Sequence, residues 1–251
     1  MMEIGTYRLT PEQCYQSLEW GLEQGITRID TAQLYRNEST VGRVLKERRR
    51  RDRDESSIFV TTKISQRNME AGRDRVLQSL QTSIEALGGR VDQVLLHAPT
   101  ENWRSIWKTL HMDVTPDRVP HLGVSNFPLE IARQLDPLPF SHQIELSPYC
   151  PRPGMVAWCL EHGVRVTAHS VLGKGQLLTE PKVQMYAQEF KCTPTQALMA
   201  WTRAQGAIPI MQSSKREHIL EWMTAPDQIN TPTVWSDFRL VTHPKFPAEV
   251  L

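Results

Sequence analysis

The sequence predicts an α/β protein built as a single (β/α)₈ TIM barrel, and three observations point there. Short apolar runs recur along the chain at "EIGT", "ITRID", "SIFVTTK", "VDQVLLH", "RVPHLGV", "HQIEL", "VRVTA" and "AIPI", eight in number over the first 210 of 251 residues. Amphipathic stretches alternate with them, which is the pattern of a parallel sheet made of βα units. A doubly wound open sheet shares that alternation, but its dinucleotide fingerprint, GxGxxG after the first strand, is missing.

The elements follow in order. After "EIGT", Thr10-Pro11-Glu12-Gln13 offers a capping hydroxyl, a proline at the first helical position and a glutamine able to close a capping box. Cys14, Leu18 and Leu22 then share one helical face, and Gly25 stands where a helix stops in a left-handed conformation. After "ITRID" comes the run "KERRRRDRDE", Lys46 to Glu55, whose arginines are answered at once by Asp52, Asp54 and Glu55. It reads as a solvated helix end and loop, not a nucleic-acid patch. The fourth run ends at His97, and a helical pattern begins at Trp103 within a few residues. Thr193-Pro194-Thr195-Gln196 repeats the capping device before a core stripe of Leu198, Trp201 and Ala204. From Ala225 to Leu251 the chain is rich in proline and aromatics and lacks periodicity, so it is expected to lie as an ordered loop over one barrel end, within a single domain of residues 1–251.

Composition narrows the function. The formal net charge is +1, which gives no reason to expect nucleic acid or an acidic membrane as partner. Cys14, Cys150, Cys159 and Cys192 lie far apart with no CxxC pair, which argues against a zinc site and against a secreted disulfide framework, and fits a reducing compartment; no metal is expected. "MMEIGTYRLT" has no basic stretch leading into an apolar run, and no run of membrane-spanning length occurs. A soluble, cytoplasmic monomer acting on a small molecule is expected.

In a (β/α)₈ barrel, chemistry collects where the strands end. Those positions hold Asp30 after "ITRI", Tyr35 in the loop that follows, Lys63 ending "IFVTTK" and His97 ending "VDQVLLH". Each alone has an ordinary structural explanation. A lysine buried at a strand end needs an anion, however, and Asp30 can supply it. The chemistry these groups suggest is proton donation to a carbonyl. A tyrosine ordinarily titrates at about 10, and an adjacent ammonium would bring it toward the working range. A histidine beside the phenol can orient the same carbonyl oxygen. The reductant is absent from this set, so a cofactor is implied.

"GTYRL", "IDTAQLYRNE", "TTK", "DQVLLHAP", "GVSNF", "HQIELSPY", "VTAHSVLGKG" and "TPTQALMAW" together resemble the aldo-keto reductase family in order and spacing, over nearly the whole chain. Asp30, Tyr35, Lys63 and His97 fall on all four places of that family's catalytic tetrad. The resemblance implies hydride transfer from a reduced nicotinamide to an aldehyde or ketone, with Tyr35 as general acid and NADPH as cofactor, NADH being the second candidate. It puts Ser125, Asn126 and Gln143 at the nicotinamide carboxamide, with Thr6 also in contact with the cofactor. It puts Ser170, Val171, Leu172 and Gly173 beside the pyrophosphate. Gln212, Ser213, Lys215, His218, Glu221 and Trp222 would lie along the adenine end. Tyr7, His97 and Trp103 would line the substrate pocket.

The chain also departs from the family pattern. His169 stands where a tyrosine usually stacks on the nicotinamide, and Val171 where proline is common. Gln212, His218 and Trp222 replace the usual lysine, arginine and asparagine, which weakens the expected grip on a 2′-phosphate. The hairpin that commonly precedes the first strand has no counterpart before "MEIGT", and the loop after His97 is short. The alternatives are the same chemistry run on an alcohol, and a cofactor-binding regulatory module with little turnover.

Overall fold

A computed structural model describes residues 1–52, 58–89 and 91–226. The expected tail from Ala225 lies, beyond Pro226, outside the described residues. In chain order the elements are β1 (Glu3–Gly5), α1 (Pro11–Glu23), β2 (Arg28–Asp30), a 3₁₀ turn (Gln33–Tyr35), α2 (Glu38–Asp52), β3 (Phe59–Ile64), α3 (Gln66–Glu70), α4 (Arg73–Ala86) and β4 (Gln93–Leu96). They continue as α5 (Trp103–Asp113), β5 (His121–Ser125), α6 (Leu129–Ala132), β6 (Ser141–Glu145), α7 (Pro153–Glu161), β7 (Arg165–His169), a second 3₁₀ segment (Gly173–Thr179), α8 (Pro181–Glu189), α9 (Pro194–Ala204), β8 (Ala207–Met211) and α10 (Arg216–Met223). Every neighbouring pair of strands is parallel, and β8 pairs back to β1, closing the expected eight-stranded barrel.

Local chemistry explains most element ends. Both capping boxes form: Thr10 accepts from the Gln13 amide and Thr193 from the Gln196 amide, with each glutamine side chain reaching back. Gly25 follows α1 at φ 82, the left-handed conformation that only glycine adopts without strain. The fifth strand starts later than the run "RVPHLGV" suggests, at His121, because Pro120 has no N–H to give a ladder. Cys14, Leu18, Leu198 and Trp201 are buried as the stripes require, whereas Ala204 is exposed at the end of α9.

The barrel is filled with side chains, and its inner layers carry more polar groups than periodicity alone suggests. Thr61, Gln93 and Ser141 are hydrogen-bonded to one another in the interior, all buried. Near the N-terminal ends of the strands, Arg28, Phe59, His121, Phe140 and Arg165 stack face to face. Arg28 lies 3.9 Å over Phe59, His121 is 3.7 Å from Phe140, and Arg165 is 4.5 Å over Phe140. That stack forms part of the barrel floor, so the open end is the one where the strands finish.

Candidate active site

Because all eight strands run the same way, their C-terminal ends share one mouth. Asp30 closes β2, Lys63 sits one residue before the end of β3, and His97 follows β4. Tyr35 ends the 3₁₀ turn after β2. The four groups meet there. Lys63 is 0 % exposed, and its Nζ donates to Asp30 Oδ1 at 2.6 Å, to the Thr31 carbonyl at 2.9 Å and to Tyr35 Oη at 3.2 Å. An ammonium has three protons and no acceptor, so all three are committed. Asp30 Oδ2 accepts from Gln143 Nε2 at 2.7 Å, which anchors the carboxylate at both oxygens.

The consequence falls on Tyr35. Its oxygen accepts from Lys63, so the phenol's own proton is left to donate elsewhere. Burial pushes the Tyr35 pKa up; the Lys63 ammonium pulls it down but does not overcome burial, and Asp30 adds to the rise. This corrects the expectation of a phenol drawn toward neutrality: the low-dielectric mouth outweighs the nearby cation, and Tyr35 stays protonated, as a donor must. Burial also works against the Lys63 charge, yet Asp30 and Tyr35 hold its pKa above the ordinary lysine value. His97 stands edge-on to Tyr35, with ring centroids 5.9 Å apart and planes at 80°. Burial first, then the charges of Lys63 and His169, lower its pKa to about 3, so the imidazole is neutral. Its Nδ1 is buried without a hydrogen-bond partner. Tyr7, 51 % exposed, forms a wall 5.0 Å from the Tyr35 ring.

Around the mouth, Ser125 ends β5 and Asn126 follows in a left-handed conformation at φ 56, exposed. Asn126 Nδ2 donates to the His97 carbonyl at 3.1 Å and to Ser125 Oγ at 3.0 Å. His169, at the end of β7, reaches Asn126 Oδ1 through Nε2 at 2.9 Å and Ser170 Oγ through Nδ1 at 3.1 Å. Beyond it Val171 and Gly173 are buried and Leu172 half-buried in a tight turn with φ 58 at Ser170 and φ 55 at Gly173. After β8, Gln212, Lys215, Arg216 and His218 are exposed. Ser213 is buried; its Oγ accepts from the Lys215 amide at 3.0 Å and lies 2.9 Å from His218 Nδ1.

Four of the expected ligand residues are held by the protein's own contacts. Thr6 is 0 % exposed, and its hydroxyl is taken up by the Asp30 carbonyl, Thr31 and Asn37, so it braces the loop beneath the mouth. Trp103 is buried edge-on against Phe127, 5.8 Å away, as a core residue of α5. Glu221 is tied to Thr193 and, through its carbonyl, to Gln196 Nε2 at 2.9 Å. Trp222 is buried and lines a cleft of about 350 Å³ with Met2, Arg28 and Phe59, at the strand starts rather than the mouth. An apolar face of α10 pulls the tryptophan down against the barrel wall.

Other contributors carry no obvious sequence signal. Gln33 Oε1 accepts from the Ser65 amide at 3.0 Å and from Asn68 Nδ2 at 2.8 Å, while its Nε2 donates to Ser83 Oγ at 3.2 Å. It thereby links the turn carrying Tyr35 to the segment that follows Lys63. His142, beside Gln143 on β6 and 0 % exposed, accepts the Phe127 amide at Nε2 at 3.2 Å and so fixes the turn behind Asn126.

The Ser125 hydroxyl proton and the second lone pair of Asn126 Oδ1 suit a carboxamide, and the exposed Lys215 and Arg216 at the start of α10 suit an anion. The fold and the grouping of charges at its mouth thus fit a barrel oxidoreductase. Over residues 1–230 the chain matches the aldo/keto reductase family, and it belongs to that family of nicotinamide-dependent carbonyl reductases. It is 30 % identical over 226 residues to methylglyoxal reductase DkgB of Escherichia coli O157:H7, covering 86 % of this chain and 83 % of that one. It is 32 % identical over 220 residues to 2,5-diketo-D-gluconic acid reductase B of a Corynebacterium species, covering 84 % and 78 %. Among solved structures, a Bombyx mori aldo-keto reductase in complex with NADP superimposes with a TM-score of 0.85 at 25 % identity, covering 95 % of this chain and 87 % of that one. An aldo-keto reductase from a deep-sea metagenome library has the same fold, with a TM-score of 0.87 at 24 % identity over 95 % and 89 % of the chains.

Proposed function

We propose that this enzyme reduces a small aldehyde or ketone to the alcohol, with Tyr35 as general acid and NADPH as the preferred cofactor, NADH being accepted more weakly. The observation that carries this is the Lys63 ammonium, whose three protons are committed to Asp30, Thr31 and Tyr35, leaving the phenol proton as the one available to a substrate oxygen. A reduced nicotinamide, when bound, supplies the hydride to the carbonyl carbon. Tyr35 gives its proton to the oxygen as negative charge develops there, and Lys63 stabilises the phenolate that remains. Neutral His97 orients the carbonyl without competing as an acid. Ser125, Asn126 and Gln143 would hold the carboxamide, the Ser170–Gly173 turn would lie along the pyrophosphate, and Ser213, Lys215 and Arg216 would meet the phosphate at the adenine end, with Gln212 and His218 beside them.

Substrates resembling those in the relatives' names, methylglyoxal and a diketo sugar acid, form the first panel. A monomer in the cytoplasm is the proposed setting. All four cysteines are free thiols, and no described helix is long and apolar enough to cross a membrane. The test is the loss of reduced-nicotinamide absorbance with each carbonyl and each cofactor. Tight cofactor binding without turnover on any of them would replace this proposal with the regulatory-module alternative.

A further inference from the structure

His169 closes β7 at the mouth, and both of its ring nitrogens are engaged in the plane of the ring. Nε2 lies 2.9 Å from Asn126 Oδ1, which can only accept, so Nε2 carries the ring proton. Nδ1 is then the acceptor for the Ser170 hydroxyl at 3.1 Å. Asn126 is fixed from its other side as well, since its two amide protons go to the His97 carbonyl and to Ser125 Oγ. A continuous chain therefore crosses the mouth from the loop after β7, through the end of β5, to the end of β4. The two partners of His169 in that chain, Ser170 and Asn126, both have left-handed backbones, at φ 58 and φ 56. Non-glycine residues persist there only when their surroundings hold them.

We propose that His169 is a positioning residue: a hydrogen-bonded bridge that sets Asn126 and Ser170 together, and so couples the nicotinamide end of the cofactor site to the turn beside the pyrophosphate. This rests on the reading of the mouth as the nicotinamide site. A ring that only stacked would act through its face and leave the pyrophosphate turn alone. The bridge instead needs one donor and one acceptor, which the neutral imidazole has. Burial, with the charges of Lys63, Arg152 and Lys174, keeps it neutral down to about pH 4, its lowered pKa.

Two variants separate the bridge from the plate. His169→Phe keeps a flat ring and removes both nitrogens; His169→Gln removes the ring and keeps a donor and an acceptor on one amide. Dissociation constants would be measured by intrinsic-fluorescence titration for NADP⁺ and for 2′-phospho-ADP-ribose, which lacks the nicotinamide, alongside kcat and KM for a carbonyl that the wild type reduces. With two hydrogen bonds lost, His169→Phe should weaken both ligands by about tenfold or more. His169→Gln should stay within about threefold of wild type for both. The inference is overturned if His169→Phe binds like wild type, if His169→Gln loses as much as His169→Phe, or if only the nicotinamide-bearing ligand is affected. Should His169→Phe fail to fold by circular dichroism, the glutamine variant decides alone, and weakening beyond about tenfold overturns the bridge. A wild type that binds neither ligand defeats the reading of the site itself.

Discussion

Lys63 Nζ lies 2.6 Å from Asp30 Oδ1, and the two side chains are 0 % and 4 % exposed. Both charges are buried, so each is tolerable only because of the other. Removing one partner of such a pair typically costs about 3–5 kcal/mol, because the remaining charge stays buried without compensation. Lys63→Met should therefore lose both turnover and stability, by urea unfolding and initial rates. Adding Asp30→Asn should restore much of the stability and none of the activity. A single variant with wild-type kinetics would mean that the ammonium plays no part in proton transfer.

Tyr35→Phe should remove most turnover while leaving cofactor affinity nearly unchanged, since the phenol acts on the substrate oxygen as charge develops there. Because burial raises the Tyr35 pKa above the ordinary 10.0, the acid form persists through the neutral range. Carbonyl reduction by the wild type should show no loss attributable to Tyr35 ionisation below pH 10. An alkaline limb well below that pH, absent from Tyr35→Phe, would contradict the rise.

Gln33 predicts a subtler effect. Its side chain joins the Tyr35 turn to Ser65 and Asn68, just past Lys63, so it sets the spacing of phenol and ammonium without touching either. Gln33→Ala should lower kcat about tenfold, with little change in the KM for cofactor, because small misplacements at a reacting centre are costly. A change confined to KM would mean that Gln33 serves binding instead.

The barrel and three of the mouth's four groups, Asp30, Lys63 and His97, were legible in the sequence for a physical reason. Eight buried parallel strands must be apolar runs, and a titratable residue that ends such a run is conspicuous against them. Capping boxes at Thr10 and Thr193 were equally plain, since their logic is local. What could not be read depends on contacts between distant segments. Gln33 and Ser83 are 50 residues apart, and nothing in either neighbourhood announces the bond. The net rise of the Tyr35 pKa was hidden too, because charge pairing is visible in a list of residues and the depth of burial is not. Trp222 shows the same limit: its register matched the adenine end, while its size and apolar surface carried it to the floor.

His142 makes acid stability a test of the fold around the site. Burial, then the charge of Arg152, lowers its pKa to about 3 from 6.5. Between those values the unfolded chain binds a proton that the folded chain refuses. Stability from this residue is thus complete above about 6.5 and lost as pH falls through the window. His142→Gln can keep an acceptor for the Phe127 amide and removes the titration. Its unfolding free energy should vary less steeply with pH than the wild type's, by up to one proton, about 1.4 kcal/mol per pH unit between pH 4 and 6. Equal slopes in the two proteins would mean that His142 is already protonated in the folded state or stays neutral in both.

The choice between cofactors turns on the start of α10. A 2′-phosphate is best held by arginine or lysine, arginine gripping two oxygens through its planar fork. Here His218 is turned to Ser213, with Nδ1 2.9 Å from the hydroxyl, and Gln212 carries no charge. The dependable cations are Lys215 and Arg216, both exposed, where the first turn of the helix also presents backbone N–H groups. Exposed charges in high dielectric contribute little each, on the order of 1 kcal/mol or less. The kcat/KM ratio for NADPH over NADH should therefore be modest, about tenfold to thirtyfold. It should fall in Lys215→Ala and again in Arg216→Ala, and shrink as salt is raised from 50 mM to about 500 mM, because solvent-exposed pairs are screened. A strong preference unmoved by both substitutions and by salt would place the phosphate on other groups and remove α10 from the site.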